Sequence, residues 1–196
     1  MNLFKFSVIG VVTAALAACS TSDGAGRETA ATSSTGNSFV AVQGQRDYAL
    51  QSFQFSIPDE LEVSEANRYY PVSDIVWRGD PRGDRKQQIT DIFETSFQSA
   101  DANLNGSRAV VADVQLLRFH SVTERTRRSF GGTHSIKFNL TVLDAQTGEI
   151  LEPTRRINAD LSAFGGRAAT RADAEGQGMK VRITSHLANL FLRELS

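Results

Sequence analysis

The sequence predicts an α+β domain: an antiparallel sheet of about four strands with two helices packed on one face, in the order β-α-β-β-β-α. Three observations carry this. Ile136, Phe138, Leu140 and Val142 alternate with Lys137, Asn139 and Thr141, the two-residue period of a strand with one buried and one wet face. Ile89, Ile92, Phe93, Phe97 and Ala100 recur at helical spacing, as do Ile183, Leu187, Leu190, Phe191 and Leu195. The two helical stripes flank the strand-rich stretch, as in folds whose helices segregate to one side of a sheet.

Taken in order, residues 53–63 alternate around Pro58 and suit an edge strand or an extended entry segment. A loop rich in Arg, Gly and Asp follows, and Asp84 is placed to cap the first helix. Val110 to Val122 reads as a strand, although both of its parities carry apolar residues. The Ile136–Val142 strand ends at Asp144-Ala145-Gln146-Thr147-Gly148-Glu149, a hairpin turn with glycine where positive φ is needed. Ile157, Ala159, Leu161 and Ala163 supply the alternation of the returning strand, and the second helical stripe closes the chain. If the turn between the second and third strands centres near residue 127, Val114 faces Leu140, Leu116 faces Phe138 and His120 faces His134.

The N-terminus carries a different signal. Lys5 is followed by an uncharged stretch of 13 residues, Phe6 to Ala18, too short for a membrane-spanning helix, which takes about 20. The stretch closes with Leu16-Ala17-Ala18-Cys19, which resembles the lipobox of bacterial lipoproteins. That resemblance implies an export signal over residues 1–18, cleavage between Ala18 and Cys19, and acylation of Cys19. Two or more acyl chains hold a protein stably on a membrane. Ser20, where an Asp commonly favours retention in the inner membrane, points to the outer membrane, with the domain facing the periplasm. Residues 19–45 are rich in Ser, Thr, Ala and Gly and read as a tether spanning about 25 to 30 Å, and residues 46–196 read as a single domain.

Removing residues 1–18, with their one lysine and no acid, leaves 178 residues with 20 Lys and Arg against 22 Asp and Glu. So balanced a chain implies neither nucleic acid nor an anionic membrane surface as its partner. Cys19 is the only cysteine, so no disulfide competes for it and the core alone must hold the fold.

The sequence holds no Gly-x-Ser-x-Gly elbow, no phosphate-binding glycine loop before a lysine and no pair of carboxylates at catalytic spacing. No catalytic residue, cofactor or metal is therefore assigned. Zinc wants three or four ligands, and His120, His134 and His186 come without a cysteine to help. The Arg-Gly-Asp triplets at 78–80 and 82–84 read as a turn leading into the first helix. Arg78, Arg82 and Arg85 are expected to pair with Asp74, Asp80 and Asp84, and Trp77 to pack on the sheet.

One surface stands out. Phe130-Gly131-Gly132 precedes the third strand and Phe164-Gly165-Gly166 follows the fourth, so strand directions bring both to one end of the sheet. Arg125, Arg127, Arg128, Arg167 and Arg171 surround them. Flexible glycines beside exposed aromatics and arginines suit contact with a protein partner.

The stretch from Tyr69-Tyr70-Pro71 to Arg85, with Trp77-Arg-Gly-Asp-Pro-Arg-Gly-Asp-Arg85, and the later Leu161-Ser-Ala-Phe-Gly-Gly166, together with the lipobox, resemble an uncharacterised family of short proteobacterial envelope lipoproteins. The element order is also similar to small α+β domains of accessory lipoproteins that serve transporters or secretion machines. The expected role is a non-enzymatic accessory or binding module for another envelope protein. The alternatives are a carrier of a small ligand or lipid between membranes, which needs an apolar cavity, and a hydrolase, which needs a cleft with strongly perturbed titratable groups.

Overall fold

The computed structural model describes residues 46–196. The signal segment, Cys19 and the tether to residue 45 lie outside the described residues. The elements are β1 (Tyr48–Ser56), β2 (Ile75–Val76), α1 (Arg85–Asp101), β3 (Arg108–His120), α2 (Glu124–Arg128), β4 (Gly132–Asp144), β5 (Ile150–Asn158), β6 (Leu161–Ala163), α3 (Gly166–Ala174) and α4 (Met179–Leu195).

The fold is α+β, but the sheet is mixed. Its strand order is β1-β3-β4-β5, with β2 beside β3 and β6 beside β4. β3, β4 and β5 are antiparallel, whereas β1 and β2 run parallel to β3. The expected all-antiparallel sheet is thus corrected, and the reason is α1. A helix that follows a strand carries the chain back along the sheet, so the next strand starts at the same end. The first strand also begins at Tyr48 and ends before Pro58, five residues ahead of the expected segment.

Two further helices correct the expected pair. α2 is five residues long, started by Thr123, whose hydroxyl accepts the Thr126 N–H. α3 buries only Ala169 and Ala172, so it carries no large apolar stripe to announce it. The two long helices lie together on one sheet face. Val110, Ala112, Val114 and Leu116 of β3 and Ile136, Phe138, Leu140 and Val142 of β4 turn toward Ile89, Phe93 and Phe97 of α1 and Ile183, Leu187 and Phe191 of α4. Phe138 sits at the centre, its ring 5.6 Å from Phe93 and 5.4 Å from Phe191. The opposite face is polar, with Thr141 bonded to Thr154 at 2.8 Å.

Two bulges set which residues reach this core. Leu116 pairs with Phe138, but Arg118 pairs with Lys137, so Leu117 is an extra residue. The inward parity therefore switches, and Phe119, opposite Ile136, faces the core beside Leu116. This resolves the double apolar parity of that strand. It also corrects the histidine pairing: His120 faces Ser135, while His134 points into the core side and pairs with Leu161. A second bulge at Gln51 lets Leu50, Phe53 and Phe55 share the core face, with Phe53 stacked on Phe97 at 3.6 Å. The returning strand is broken at Asp160, whose carboxylate accepts the Ile136 N–H at 3.0 Å, leaving β5 and β6 as separate pieces.

β3 and β4 are each 13 residues long, so the sheet runs about 40 Å end to end. One end holds Arg46, residues 102–107 and the 144–149 turn. The other holds residues 57–74, 121–131 and 164–178 and the N-termini of α1 and α4.

Candidate functional site

The remote end, away from Arg46, is built on a crossing of two glycine segments. Gly132 pairs with Ala163, which brings Phe130-Gly131-Gly132 against Phe164-Gly165-Gly166. A Cβ on Gly131, where φ is +74°, would lie 2.7 Å from the Gly165 nitrogen and 2.8 Å from the Phe164 carbonyl carbon. A Cβ on Gly165 would overlap the Gly131 nitrogen. Expected from sequence to be flexible, these glycines form instead a close backbone contact that no side chain could enter.

Each phenylalanine has an arginine nearby. Phe130 stacks on Tyr69 at 5.5 Å and 19°, and the Arg125 guanidinium lies 5.3 Å from the Tyr69 ring. The Thr123 hydroxyl donates to the Arg68 carbonyl at 2.7 Å and the Thr126 hydroxyl donates to that of Tyr69 at 3.1 Å, fixing this loop to α2. Phe164 carries Arg182 3.6 Å above its ring. Tyr70 is 79% exposed, Val72 99% and Phe130 62%, so the surface presents large apolar groups to solvent.

The charges divide into two sets. Arg127 pairs with Asp173 at 2.6 Å and joins α2 to α3. Arg78 bridges Glu65 and Glu124, buried Arg85 holds Glu65 at 2.6 Å, and Lys180 pairs with Asp80 at 3.0 Å. This network replaces the expected pairing of Arg78, Arg82 and Arg85 with Asp74, Asp80 and Asp84. Asp84 instead caps α1, accepting the Gln87 N–H at 3.1 Å, and Asp80 accepts the N–H of buried Trp77 at 2.9 Å. The hydrogen bond from Arg85 holds the Glu65 carboxyl below the usual range. Burial pushes the Glu124 carboxyl up, but the Arg78 bonds and charges outweigh it and leave it lowered. Arg125, Arg128, Arg167 and Arg171 are exposed and form no ion pair among the described residues. Between α2 and the start of α4 lies an open groove of about 310 Å³ walled by Arg78, Glu124, Arg127, Arg128, Met179 and Lys180.

The structure thus gathers Arg125, Arg127, Arg128, Phe130, Phe164, Arg167 and Arg171 at one end, although Arg127 is spent on Asp173. Sequence reasoning missed Tyr69, Tyr70 and Val72 as part of this surface. An aromatic pair in a loop was the available signal. It also missed Arg182, since an arginine one turn into a helix gives no sign of the ring it covers.

The histidines do not converge. His134 is buried, shares a 2.7 Å hydrogen bond with the Ser121 hydroxyl, and is pushed down to about 4 by burial and by the charges of Arg182 and Arg127. His120 bonds through Nδ1 to the Ser73 carbonyl, and burial lowers both it and His186. Among the described residues no three His, Cys, Asp or Glu side chains are grouped to hold a metal ion.

Residues 48–196 match the model of DUF6778, described as a family of unknown function. The chain belongs to this family. The matched span contains every residue of the candidate surface and both Arg-Gly-Asp and Phe-Gly-Gly segments. A comparison with curated proteins finds no match. Among solved structures, this DUF6778 chain is similar to a candidate lipoprotein from Caulobacter crescentus CB15, at 16% identity over 54% of this chain and 78% of that one, TM-score 0.33. It is also similar to protein XCC0632 from Xanthomonas campestris, assigned to family-model DUF330, at 15% identity over 77% of this chain and 86% of that one, TM-score 0.45.

Proposed function

We propose that this chain is a lipoprotein of the cell envelope, anchored through acylated Cys19 on the outer membrane and facing the periplasm, whose domain acts as a non-enzymatic binding module for another envelope protein. One observation carries the reading. The described chain enters the domain at Arg46, while the exposed Tyr69, Tyr70, Val72 and Phe130 lie at the other end of a sheet about 40 Å long. A module tethered at one end and presenting fixed aromatics and arginines at the other is arranged to reach a protein away from its own anchor.

The anchor itself is inferred from Leu16-Ala17-Ala18-Cys19. Against the carrier reading, the space between sheet and helices is filled by Phe93, Phe138 and Phe191, whose rings lie within 6.1 Å of one another. Against the hydrolase reading, the lowered carboxyls of Glu65 and Glu124 have structural arginine partners.

The test is mass spectrometry of the N-terminus together with crosslinking and affinity purification from native membranes. The expected result is an acylated Cys19 and one envelope protein recovered in near-stoichiometric amount. An unmodified Cys19, or co-purifying lipid with no protein, contradicts the proposal.

A further inference from the structure

We infer that the partner presents an acidic surface with an apolar side chain at its centre, an inference that rests on the binding-module reading above and specifies the chemistry of the partner. The observation is how the charges of the remote end are used. Of the inward-facing cations, Arg78 and Arg85 are matched by Glu65 and Glu124, Arg127 by Asp173 and Lys180 by Asp80, while Arg182 is held over the Phe164 ring and donates to the Ser162 carbonyl. Outward, Arg68, Arg125, Arg128, Arg167 and Arg171 form no ion pair among the described residues. The segments that carry them, 66–72, 124–130 and 164–175, contain one further acid without an ion-pair partner, Glu175.

Within these three segments five unpaired guanidinium groups stand against one unpaired carboxylate, a local excess of positive charge on a chain that is nearly neutral as a whole, while the unpaired acids Asp59, Glu60 and Glu62 lie in the neighbouring stretch before Glu65. All five are arginine rather than lysine. A guanidinium gives a planar fork of donors that grips a carboxylate with two bonds, and it sheds water more readily than an ammonium. Arg125 is already held over the Tyr69 ring, so its fork is partly ordered before any partner arrives.

Shape favours a protein over a flat bilayer. Beside Arg128 the groove of about 310 Å³ admits a side chain, with Met179 and Val181 lining it next to the ion-paired Glu124 and Asp173, whereas a membrane surface leaves such a hollow unfilled. Phe130 and Tyr70 are exposed at the same end of the sheet. An acidic patch around one apolar anchor matches this arrangement in both charge and form.

The test places photoreactive p-benzoylphenylalanine at position 130 of the full-length chain in native membranes and sequences the crosslinked peptide. The expected adduct is a protein segment rich in Asp and Glu. Its yield should fall about tenfold when Arg125→Glu, Arg128→Glu and Arg171→Glu are combined, with melting unchanged. Should that triple variant fail to fold, the unsubstituted arginines give the same answer through salt, since screening shortens from about 10 Å at 0.1 M to about 3 Å at 1 M and should cut the yield. An adduct to a neutral or basic protein segment, or a yield indifferent to salt, overturns this inference and leaves the binding-module reading standing. Adducts to lipid alone, or none, overturn both.

Discussion

The two ends of the sheet are closed in different ways. At the entry end the connections are short and locally satisfied. The Asp144 carboxylate accepts the N–H groups of Gln146 and Thr147 at 2.9 and 3.0 Å, and Gly148 takes φ +73° to finish the turn. Arg46 and the Tyr48 hydroxyl meet Glu152 at 2.8 and 3.1 Å, and Arg155 joins Glu152 to Glu194, sealing the core edge. The remote end instead uses three long segments, tied by side chains such as Lys180 to Asp80 and Thr123 to Arg68. It also exposes seven large apolar residues, Val63, Tyr69, Tyr70, Val72, Phe130, Phe164 and Val181, where the entry end exposes Ile150. A sheet can be closed cheaply with short turns, as the entry end shows. The extra chain and exposed apolar surface of the remote end go beyond what closing the sheet requires, which is why function is sought there.

The largest expected effect lies beneath both ends. Phe138→Ala should cost about 3 to 5 kcal/mol in urea denaturation, from lost transfer energy plus the cavity left against Phe93 and Phe191. A loss below about 1 kcal/mol would mean that the two ends do not share this core.

Acid should then separate the ends. His134, at the remote end, sits at about 4 instead of 6.5 because burial opposes its charge. Between those values the unfolded chain binds a proton that the folded chain does not, so stability present at pH 7 falls as pH drops toward 4, by up to about 3 kcal/mol. His120 and His186, also lowered, act in the same direction. At the entry end the Asp144 carboxyl is held down at about 2 by the turn N–H groups, so its contribution is kept until pH falls toward that value. Hydrogen exchange at pH 4.5 should show residues 121–134 opening before 144–149, and His134→Gln should flatten the pH dependence. Equal loss of protection at both ends would deny the difference.

Glycine substitutions give a smaller, still distinct contrast. Gly165→Ala drives a Cβ into the Gly131 backbone and should cost about 2 to 3 kcal/mol. Gly148→Ala meets nothing within 4 Å and should cost about 1 kcal/mol for its positive φ alone. Thermal melts compare the two directly, and similar losses would mean that the crossing yields. The smallest stability effect is expected from Arg167→Glu and Arg171→Glu, below about 0.5 kcal/mol each by chemical denaturation, since exposed charges without partners hold little of the fold.

Much of this was legible where one period ran unbroken. The alternation of Ile136 to Val142, the stripe from Ile89 to Ala100, the Asp84 cap and the 144–149 turn all state their geometry locally. The pairing of Leu116 with Phe138 followed from them, and the pairing of His120 failed only past the Leu117 bulge. Two apolar parities in one strand are the mark of such a bulge, because each side of the extra residue turns a different parity inward. The parallel β1 was not read, since the sheet was expected to be antiparallel throughout, although the helix that follows β1 carries that direction. α3 was not legible, since two alanines make too faint a stripe. At the remote end, Phe130, Phe164 and the arginines could be placed from strand direction alone. The Glu65 network and the Tyr69 stack could not, because their partners lie 13 to 61 residues away and obey no local period.

The most direct measurement compares recovery of the envelope partner from native membranes by two variants beside the wild type. Tyr70→Ser with Phe130→Ser removes exposed aromatics from the remote end, and Ile150→Ser removes the exposed apolar residue of the entry end. With all three chains folded and acylated, the remote variant should lose the partner at least about tenfold while the Ile150 variant keeps it. Loss of the partner by Ile150→Ser, or full recovery by both variants, would contradict the assignment of the binding face to the end remote from the anchor.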